Sequence, residues 1–247
     1  MKKEILQTFI RKYSLGNLIP KAKWKYSFTD KILHTRSAID NKSFIVDVIM
    51  NDFEDFGQED NILCIGDTEK VIAMMSPFDD DIMFTINKSN ERVLGFTLSD
   101  ENCESYCTCA DSTAIDPVPK NMQDIPEYHV EVQLTEDFVD KLKRAQMALK
   151  DVDTFSIGMN KKGLFEVVIG YSASNSNRIR ITPPTDAIKN KIDVPLSFPI
   201  KNIIQVLKSN SEITGGTLSI NNTGIGKIHF KNEKFTCNYY QFSNKKS

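Results

Sequence analysis

Histidine and tryptophan are scarce in this sequence: its 247 residues include three histidines and one tryptophan. His34, His129 and His229 lie far apart, and each falls in a predicted strand, so the side chain used most often in acid–base catalysis forms no evident cluster. The sequence also lacks a glycine-rich phosphate-binding motif and a G-x-S-x-G nucleophile turn. We therefore predict no catalytic residue. An α+β enzyme with an unrecognised carboxylate site remains the least favoured alternative.

Long hydrophobic runs are also missing, so no membrane-spanning segment is predicted. The first residues, MKKEILQTFIRKY, are charged and lack the apolar stretch and cleavage site of a signal peptide. Apolar residues make up 40% of the chain and charged residues 26%, as in soluble globular proteins. These features predict an intracellular protein, located in the cytoplasm, or in the host cytoplasm if a phage encodes it.

Potential metal ligands are few, and their positions in the sequence do not form the pairs that are typical of a zinc site. Cys103, Cys107 and Cys109 lie close in sequence, but a structural zinc site usually has four ligands in paired spacings, and no second cysteine or histidine pair is present. Five cysteines in a reducing compartment are expected to be thiols. The acidic run Asp79–Asp81 is typical of a solvated turn. We therefore predict neither a metal nor another cofactor.

Hydrophobic periodicity predicts two halves with the same order of elements: a long amphipathic helix, strands, a short helix and three strands. The proline-containing segment 111–127 follows no period, and so it is predicted to connect a domain at 1–110 to a domain at 128–247. The expected fold class is α+β, with helices on one face of antiparallel sheets. The predicted helices are Lys3–Ser14, Glu69–Ser76, Thr135–Lys150 and Ile200–Ser209. The predicted strands are Lys21–Thr29, Lys31–Ser37, Ser43–Met50, Ile62–Ile65, Ile82–Asn87, Arg92–Leu98, Glu104–Ala110, Tyr128–Gln133, Thr154–Met159, Leu164–Tyr171, Asn177–Thr182, Ile192–Phe198, Gly216–Ile220, Ile225–Lys231 and Lys234–Phe242.

Basic residues are concentrated on three of these helices, although the whole chain has a formal net charge of −2. In the third helix the apolar residues share one face, and the stretch 141–150 holds four basic residues and no acid. The first and fourth helices also carry more basic than acidic residues. A cationic surface on an acidic protein favours sequence-independent binding of phosphate groups. The alternative is an ordinary solvated helix surface, because exposed helices are commonly rich in lysine.

The doubled pattern resembles the sliding DNA clamps, the ring-shaped polymerase processivity factors that include proliferating cell nuclear antigen and the clamps of tailed phages. The segment VQLTEDFVDKLKRAQMAL resembles the start of the second clamp domain, PLSFPIKNIIQVLKSN resembles its last helix, and Phe235–Phe242 resembles its closing strand. The resemblance extends over nearly the whole chain in order and spacing. It is loosest between the first helix and Ile62.

The resemblance implies a homo-oligomeric ring, expected to be a trimer, that encircles duplex DNA and tethers a replicative polymerase. A monomeric DNA-binding accessory subunit of the same fold is the alternative. Polymerase and clamp loader would each bind through a short hydrophobic peptide. The implied DNA-contacting residues are Lys3, Arg11, Lys12, Lys141, Lys143, Arg144, Lys201 and Lys208. The implied peptide-pocket residues are Ile115, Pro117, Val118, Tyr239, Tyr240 and Phe242, and those of the subunit interface are Glu104, Tyr106, Thr108, Arg178 and Arg180.

Overall fold

A computed structural model describes residues 1–39, 42–53, 56–90, 92–118, 127–170, 177–183, 187–188, 192 and 195–243. The chain folds into two compact units. Unit 1 contains Met1–Val118 and Lys231–Cys237, and unit 2 contains Pro119–Phe230 and Asn238–Ser247. The predicted connector at 111–127 stays a prediction, because its residues 119–126 lie outside the described part of the chain.

Four helices form where the apolar periodicity predicts them. The Thr135 hydroxyl caps the third helix by accepting from the Phe138 amide at 3.3 Å, and the Asp67 carboxylate caps the second by accepting from the Lys70 amide at 2.9 Å. The first helix ends at Leu15, whose backbone is left-handed with φ of 52°. The helices are α1 (Lys3–Ser14), α2 (Thr68–Met74), α3 (Glu136–Ala148) and α4 (Ile200–Ser209).

Unit 1 contains two antiparallel groups of strands. The first has the order β4-β1-β2-β3, and the second has the order β5-β6-β7. Buried residues alternate with half-buried or exposed ones along β1 and β2, so that one sheet face lies against the core. These strands are β1 (Ala22–Ser27), β2 (Ile32–Ile39), β3 (Phe44–Met50), β4 (Asn61–Ile65), β5 (Met83–Ser89), β6 (Arg92–Ser99) and β7 (Glu104–Thr108).

Unit 2 repeats this plan with the strand orders β12-β8-β14-β15-β16 and β11-β10-β9-β13. Strand β12 lies between the predicted strands Asn177–Thr182 and Ile192–Phe198, where no strand is predicted. It pairs with β8 through its backbone and needs no hydrophobic pattern of its own. The predicted strand at 192–198 is observed only over its last residues, and residues 193 and 194 lie outside the described ones. The strands are β8 (Val130–Leu134), β9 (Thr154–Met159), β10 (Phe165–Ile169), β11 (Ile179–Ile181), β12 (Ala187–Ile188), β13 (Leu196–Pro199), β14 (Gly216–Ile220), β15 (Ile225–Lys231) and β16 (Phe235–Phe242).

The core of unit 1 is a connected cluster of aromatic rings around Trp24. Helix α1 contributes Phe9, whose ring centroid lies 5.8 Å from that of Trp24 in an edge-on arrangement. On another side of the tryptophan, the stacked rings of Phe84 and Phe96 lie 4.7 Å apart. The ring network therefore joins a helix to strands of both sheets. Its members are Phe9, Tyr13, Trp24, Tyr26, Phe53, Phe56, Phe84 and Phe96.

The core of unit 2 is built mainly from aliphatic side chains. The rings of Phe155 and Phe198 stack at 5.6 Å beside a small void that is also lined by Ile203 and Gly226. Gln241 lies at this void with 3% of its surface exposed. Its Nε2 donates to the Pro199 carbonyl at 2.9 Å. Packing in this unit therefore depends on fewer ring contacts within the described residues.

Candidate nucleic-acid interface

Helix α4 presents two cations to solvent. Lys201 and Lys208 are exposed on the same side of the helix, opposite the buried Ile203 and Leu207. The two lysines are seven positions apart, which corresponds to about 10 Å along the helix axis. Within the described residues, neither lysine forms an ion pair. The two lysines can therefore bind an anionic group without first breaking an existing interaction.

Helix α3 is more nearly neutral than the stretch 141–150 suggests. Its first turns hold three acids, which match the three basic residues later in the helix. Lys141 donates to the Asp137 carboxylate at 2.6 Å, and Arg144 lies 4.0 Å from that of Asp140. The two partners of each pair are four residues apart in the sequence, which is about one helical turn. The two ion pairs therefore reduce the excess of positive charge that the stretch 141–150 suggests, and half-buried Lys143 has no acidic partner among the described residues.

Helix α1 provides one exposed cation, Arg11, whose guanidinium donates to the Thr8 hydroxyl at 3.0 Å. Lys3 is half-buried, and its ammonium donates to the backbone carbonyl of Phe78. The prediction that Lys12 contacts DNA is wrong, because its side chain is fully buried. The Lys12 Nζ atom lies 5.1 Å from the centre of the Phe235 ring, so the cation belongs to the core of unit 1.

Within each unit the two helices contact each other, α1 with α2 and α3 with α4. The four cations Arg11, Lys143, Lys201 and Lys208 are at least partly accessible and unpaired with acids in the described part of the chain. Such groups can contact phosphate oxygens of any base sequence, and they supply no means of reading bases. Among the described residues, no three potential ligands are arranged to hold a metal ion. None of the described helices is long and apolar enough to cross a membrane.

The residues predicted for a subunit interface lie on two strands at sheet ends. Strand β7 is the last described strand of its sheet, and it exposes Glu104, Tyr106 and Thr108. Strand β11 is the last described strand of the unit 2 sheet, and Arg178 and Arg180 are exposed beside it and within it. Unpaired backbone groups at such edges are available for pairing with another chain.

Two charges on or near these strands already have partners inside their own units. Arg180 lies 3.7 Å from the Glu166 carboxylate, and Asp111 lies 3.2 Å from Arg92. Arg178 and Glu104 have no ion-pair partner among the described residues.

The residues predicted for a partner-peptide pocket differ in accessibility. In unit 1, Ile115 is 7% exposed, Pro117 is exposed and Val118 is half-buried. In unit 2, Tyr240 and Phe242 are half-buried. Tyr239 is fully buried, and its hydroxyl accepts a hydrogen bond from Asn210 at 2.8 Å. The assignment of Tyr239 to a pocket surface is therefore wrong, because the residue belongs to the core.

A charged cluster on the sheet of unit 1 was missed from the sequence. Asp47 on β3 accepts from His34 Nε2 at 2.6 Å and from the guanidinium of Arg36, both on β2. Burial raises the pKa of the Asp47 carboxyl, but the hydrogen bonds from His34 and Arg36 outweigh this effect and hold the pKa below its ordinary value. The sequence signal for this cluster was Asp47, a charged residue inside the apolar run FIVDVIM. The partners of Asp47 depend on strand register.

The predicted thiols are observed as free cysteines. Burial raises the pKa of the Cys107 thiol to about 11, and its Sγ lies 3.5 Å from Met74 Sδ. Such a thiol is protonated at neutral pH and is a poor nucleophile. Cys107 therefore acts as a small apolar side chain.

Two units, each with paired helices and antiparallel sheets, together define the DNA clamp fold, and this chain has that fold. Among solved structures it is similar to proliferating cellular nuclear antigen from Entamoeba histolytica, with a TM-score of 0.72, 15% identity, and coverage of 98% of this chain and 96% of that one. It is similar to A. fulgidus PCNA with the C-terminal region of FEN-1 bound (TM-score 0.72, 15% identity, 100% and 98% coverage). It is also similar to the PCNA2–PCNA3 complex from Sulfolobus tokodaii (TM-score 0.69, 12% identity, 99% and 98% coverage). No family model and no curated protein matches the sequence.

Proposed function

We propose that the protein is a sliding DNA clamp, a homo-oligomeric ring that encircles duplex DNA and holds a DNA polymerase on its template. The observation that carries this proposal is the clamp fold extending over nearly the whole chain. The accessible cations on α1, α3 and α4 provide contacts to the DNA backbone. They are few in number, which suits a protein that slides, because weak and interchangeable phosphate contacts do not fix a position on DNA.

Ring closure requires two complementary edges on each subunit, and β7 and β11 are the candidates. Pairing β7 of one copy with β11 of the next would satisfy backbone groups that are otherwise available for aggregation. Arg178 and Glu104 then provide opposite charges at the two edges. The expected assembly is a trimer, because each subunit carries two clamp units and rings of this family close with six.

Polymerase and clamp loader are proposed to bind through a short hydrophobic peptide. Of the residues that the resemblance implies for such binding, Pro117, Val118, Tyr240 and Phe242 are at least partly accessible. A. fulgidus PCNA, one of the similar structures, has a C-terminal region of FEN-1 bound. Peptide capture would give the ring a partner without requiring any chemistry from the clamp.

Light scattering after size exclusion tests the assembly. We expect a mass near three times 28.1 kDa, and we expect Glu104→Arg or Arg178→Glu to lower it. Combining the two substitutions should restore the oligomer, because the charge pair is then reversed and complementary. Lys161→Glu is the matched control, because Lys161 is exposed in the turn between β9 and β10 and lies on neither edge strand; it should leave the mass unchanged. A strict monomer at micromolar concentration would support the alternative, a monomeric accessory subunit that holds DNA by charge alone.

A further inference from the structure

The side chain of Tyr106 on strand β7 lies against its own sheet. Tyr106 is opposite Thr97 on β6, and its phenol reaches Gly95, two residues away on that strand. A Cβ atom at position 95 would lie 2.8 Å from the Tyr106 hydroxyl oxygen and 2.4 Å from the carbonyl oxygen of Cys107. The backbone of Gly95 is not left-handed, so glycine is required here for the close approach of β7 and not for its conformation.

Much of the Tyr106 side chain nevertheless remains open to solvent. The residue keeps 47% of its surface exposed although its phenol contacts the sheet. Glu104 and Thr108, two residues away on either side, are exposed on the same face of the strand. The face of an aromatic ring carries partial negative charge and attracts cations, most often the guanidinium of arginine. Tyr106 and Glu104 therefore form a small exposed site that suits an arginine side chain.

The backbone of Tyr106 is also available for pairing. The Cys109 amide donates to the Leu94 carbonyl at 2.9 Å, so these two opposed residues form a hydrogen-bonded pair. Hydrogen-bonded and non-hydrogen-bonded pairs alternate along antiparallel strands, and the opposed Thr97 and Tyr106 therefore form a non-hydrogen-bonded pair. The N–H and C=O groups of Tyr106 then point away from β6, toward the side of β7 where the described sheet ends.

Strand β11 separates apolar and charged side chains between its two faces. Ile181 is buried on one face, whereas Arg178 and Arg180 are exposed on the other. If β11 of one copy paired with β7 of another, burial would favour the register that keeps the apolar faces together, because a slip of one residue exchanges the faces. Tyr106 lies on the face opposite to the buried Cys107. It would therefore share a face with the two arginines.

Only one of the two arginines lacks an ion-pair partner among the described residues. Arg180 lies 3.7 Å from the Glu166 carboxylate of its own unit, whereas Arg178 forms no such pair. We propose that Arg178 of a second copy of this chain binds at Tyr106, with its guanidinium over the exposed part of the ring and within reach of the Glu104 carboxylate. This inference rests on the ring assembly proposed above. It adds a cation–π contact to the pairing of the two edge strands.

Light scattering over a range of concentrations of the full chain measures the apparent dissociation constant of the assembly. We expect Tyr106→Ala to raise this constant by about tenfold, and Tyr106→Phe to leave it nearly unchanged because phenylalanine keeps the ring. Arg178→Lys should also raise it, since an ammonium group stacks on a ring less well than a planar guanidinium. Leu164→Ala is the matched control, because Leu164 is 49% exposed and lies on neither edge strand. It should leave the constant unchanged.

A double-mutant cycle separates this contact from a general effect on the edge strands. Tyr106→Ala/Arg178→Ala should assemble about as well as the weaker of its two single variants, because both substitutions remove the same contact. The proposed contact is overturned if the two effects add, if Tyr106→Ala assembles like the wild type, or if Tyr106→Phe weakens assembly as much as Tyr106→Ala. Any of these results in an oligomeric protein leaves the clamp proposal intact. A wild-type chain that stays monomeric overturns both, so the two failures are distinguishable.

Discussion

The two units share one plan but fill their cores differently. Unit 1 has a network of eight rings centred on Trp24, whereas the ring contacts of unit 2 are the two separate pairs Phe155–Phe198 and Phe230–Tyr239 in the described residues. Both units nevertheless combine a contacting pair of helices with two antiparallel groups of strands. The fold therefore depends on which positions are apolar more than on which apolar residue occupies them. This explains how a chain of 12–15% identity retains TM-scores near 0.7 to known clamps.

The largest expected effect comes from breaking the ring network of unit 1. Trp24→Ala removes a fully buried side chain that touches several other rings, and we expect it to lower the free energy of unfolding by about 3–5 kcal/mol. Phe155→Ala in unit 2 should cost less, because that ring already borders a void. Urea denaturation monitored by circular dichroism measures both changes in stability. Tryptophan fluorescence is unsuitable because Trp24 is the only tryptophan, and Trp24→Ala removes it. Equal or reversed costs would mean that the ring network is no better packed than the aliphatic core.

An intermediate effect is expected from the charges on the helices. Lys201→Gln/Lys208→Gln removes two cations that have no ion-pair partner in the described part of the chain, and we expect weaker DNA binding, by about tenfold, with a smaller salt dependence. Asp137→Asn/Asp140→Asn should strengthen binding, because it releases Lys141 and Arg144 from their ion pairs. Lys161→Gln/Lys162→Gln is the control of equal charge change. Anisotropy titrations with duplex DNA at several salt concentrations distinguish these cases. If the control weakens binding as much as the α4 variant does, net charge and not the helix surface determines binding.

The smallest expected effect comes from filling the small void in the core of unit 2. Gly226→Ala adds a methyl group at ordinary contact distance, 3.5 Å from the Phe198 ring, and should stabilise the protein by about 0.4–1 kcal/mol. Gly216→Ala is the opposite case, because its added carbon would lie 2.3 Å from the Phe230 ring. Thermal unfolding should show a raised midpoint for the first variant and a lowered midpoint for the second. A lowered midpoint for Gly226→Ala would show that the void is not available for filling.

The helices and most strands were predictable because their apolar periods are local. The bounds of α1 and α4 follow from sequence alone, as does the cap at Thr135. The burial of Lys12 and Tyr239 was not predictable, because each depends on contacts with residues far along the chain, Phe235 and Asn210. The cluster around Asp47 depends on strand register, which a single sequence does not determine.

Part of the candidate site was misjudged for a different reason. The ion pairs of α3 lie at helical spacing, so the acids that pair with Lys141 and Arg144 lie one turn earlier and fall outside the stretch 141–150. Counting charge over whole helices leaves α1 and α4 with a clear excess of basic residues. The proposed DNA surface is accordingly sparser than the sequence alone indicated.

The most direct test of the sliding clamp is whether the protein stays on a circular DNA molecule after that molecule is made linear. The protein is loaded, with its loader, onto a nicked circular plasmid, the complex is isolated, and the circle is then cut once. A closed ring held by topology should remain on the circle in moderate salt and leave when the DNA becomes linear. Retention that is the same before and after cutting, and that falls only with added salt, would contradict the clamp.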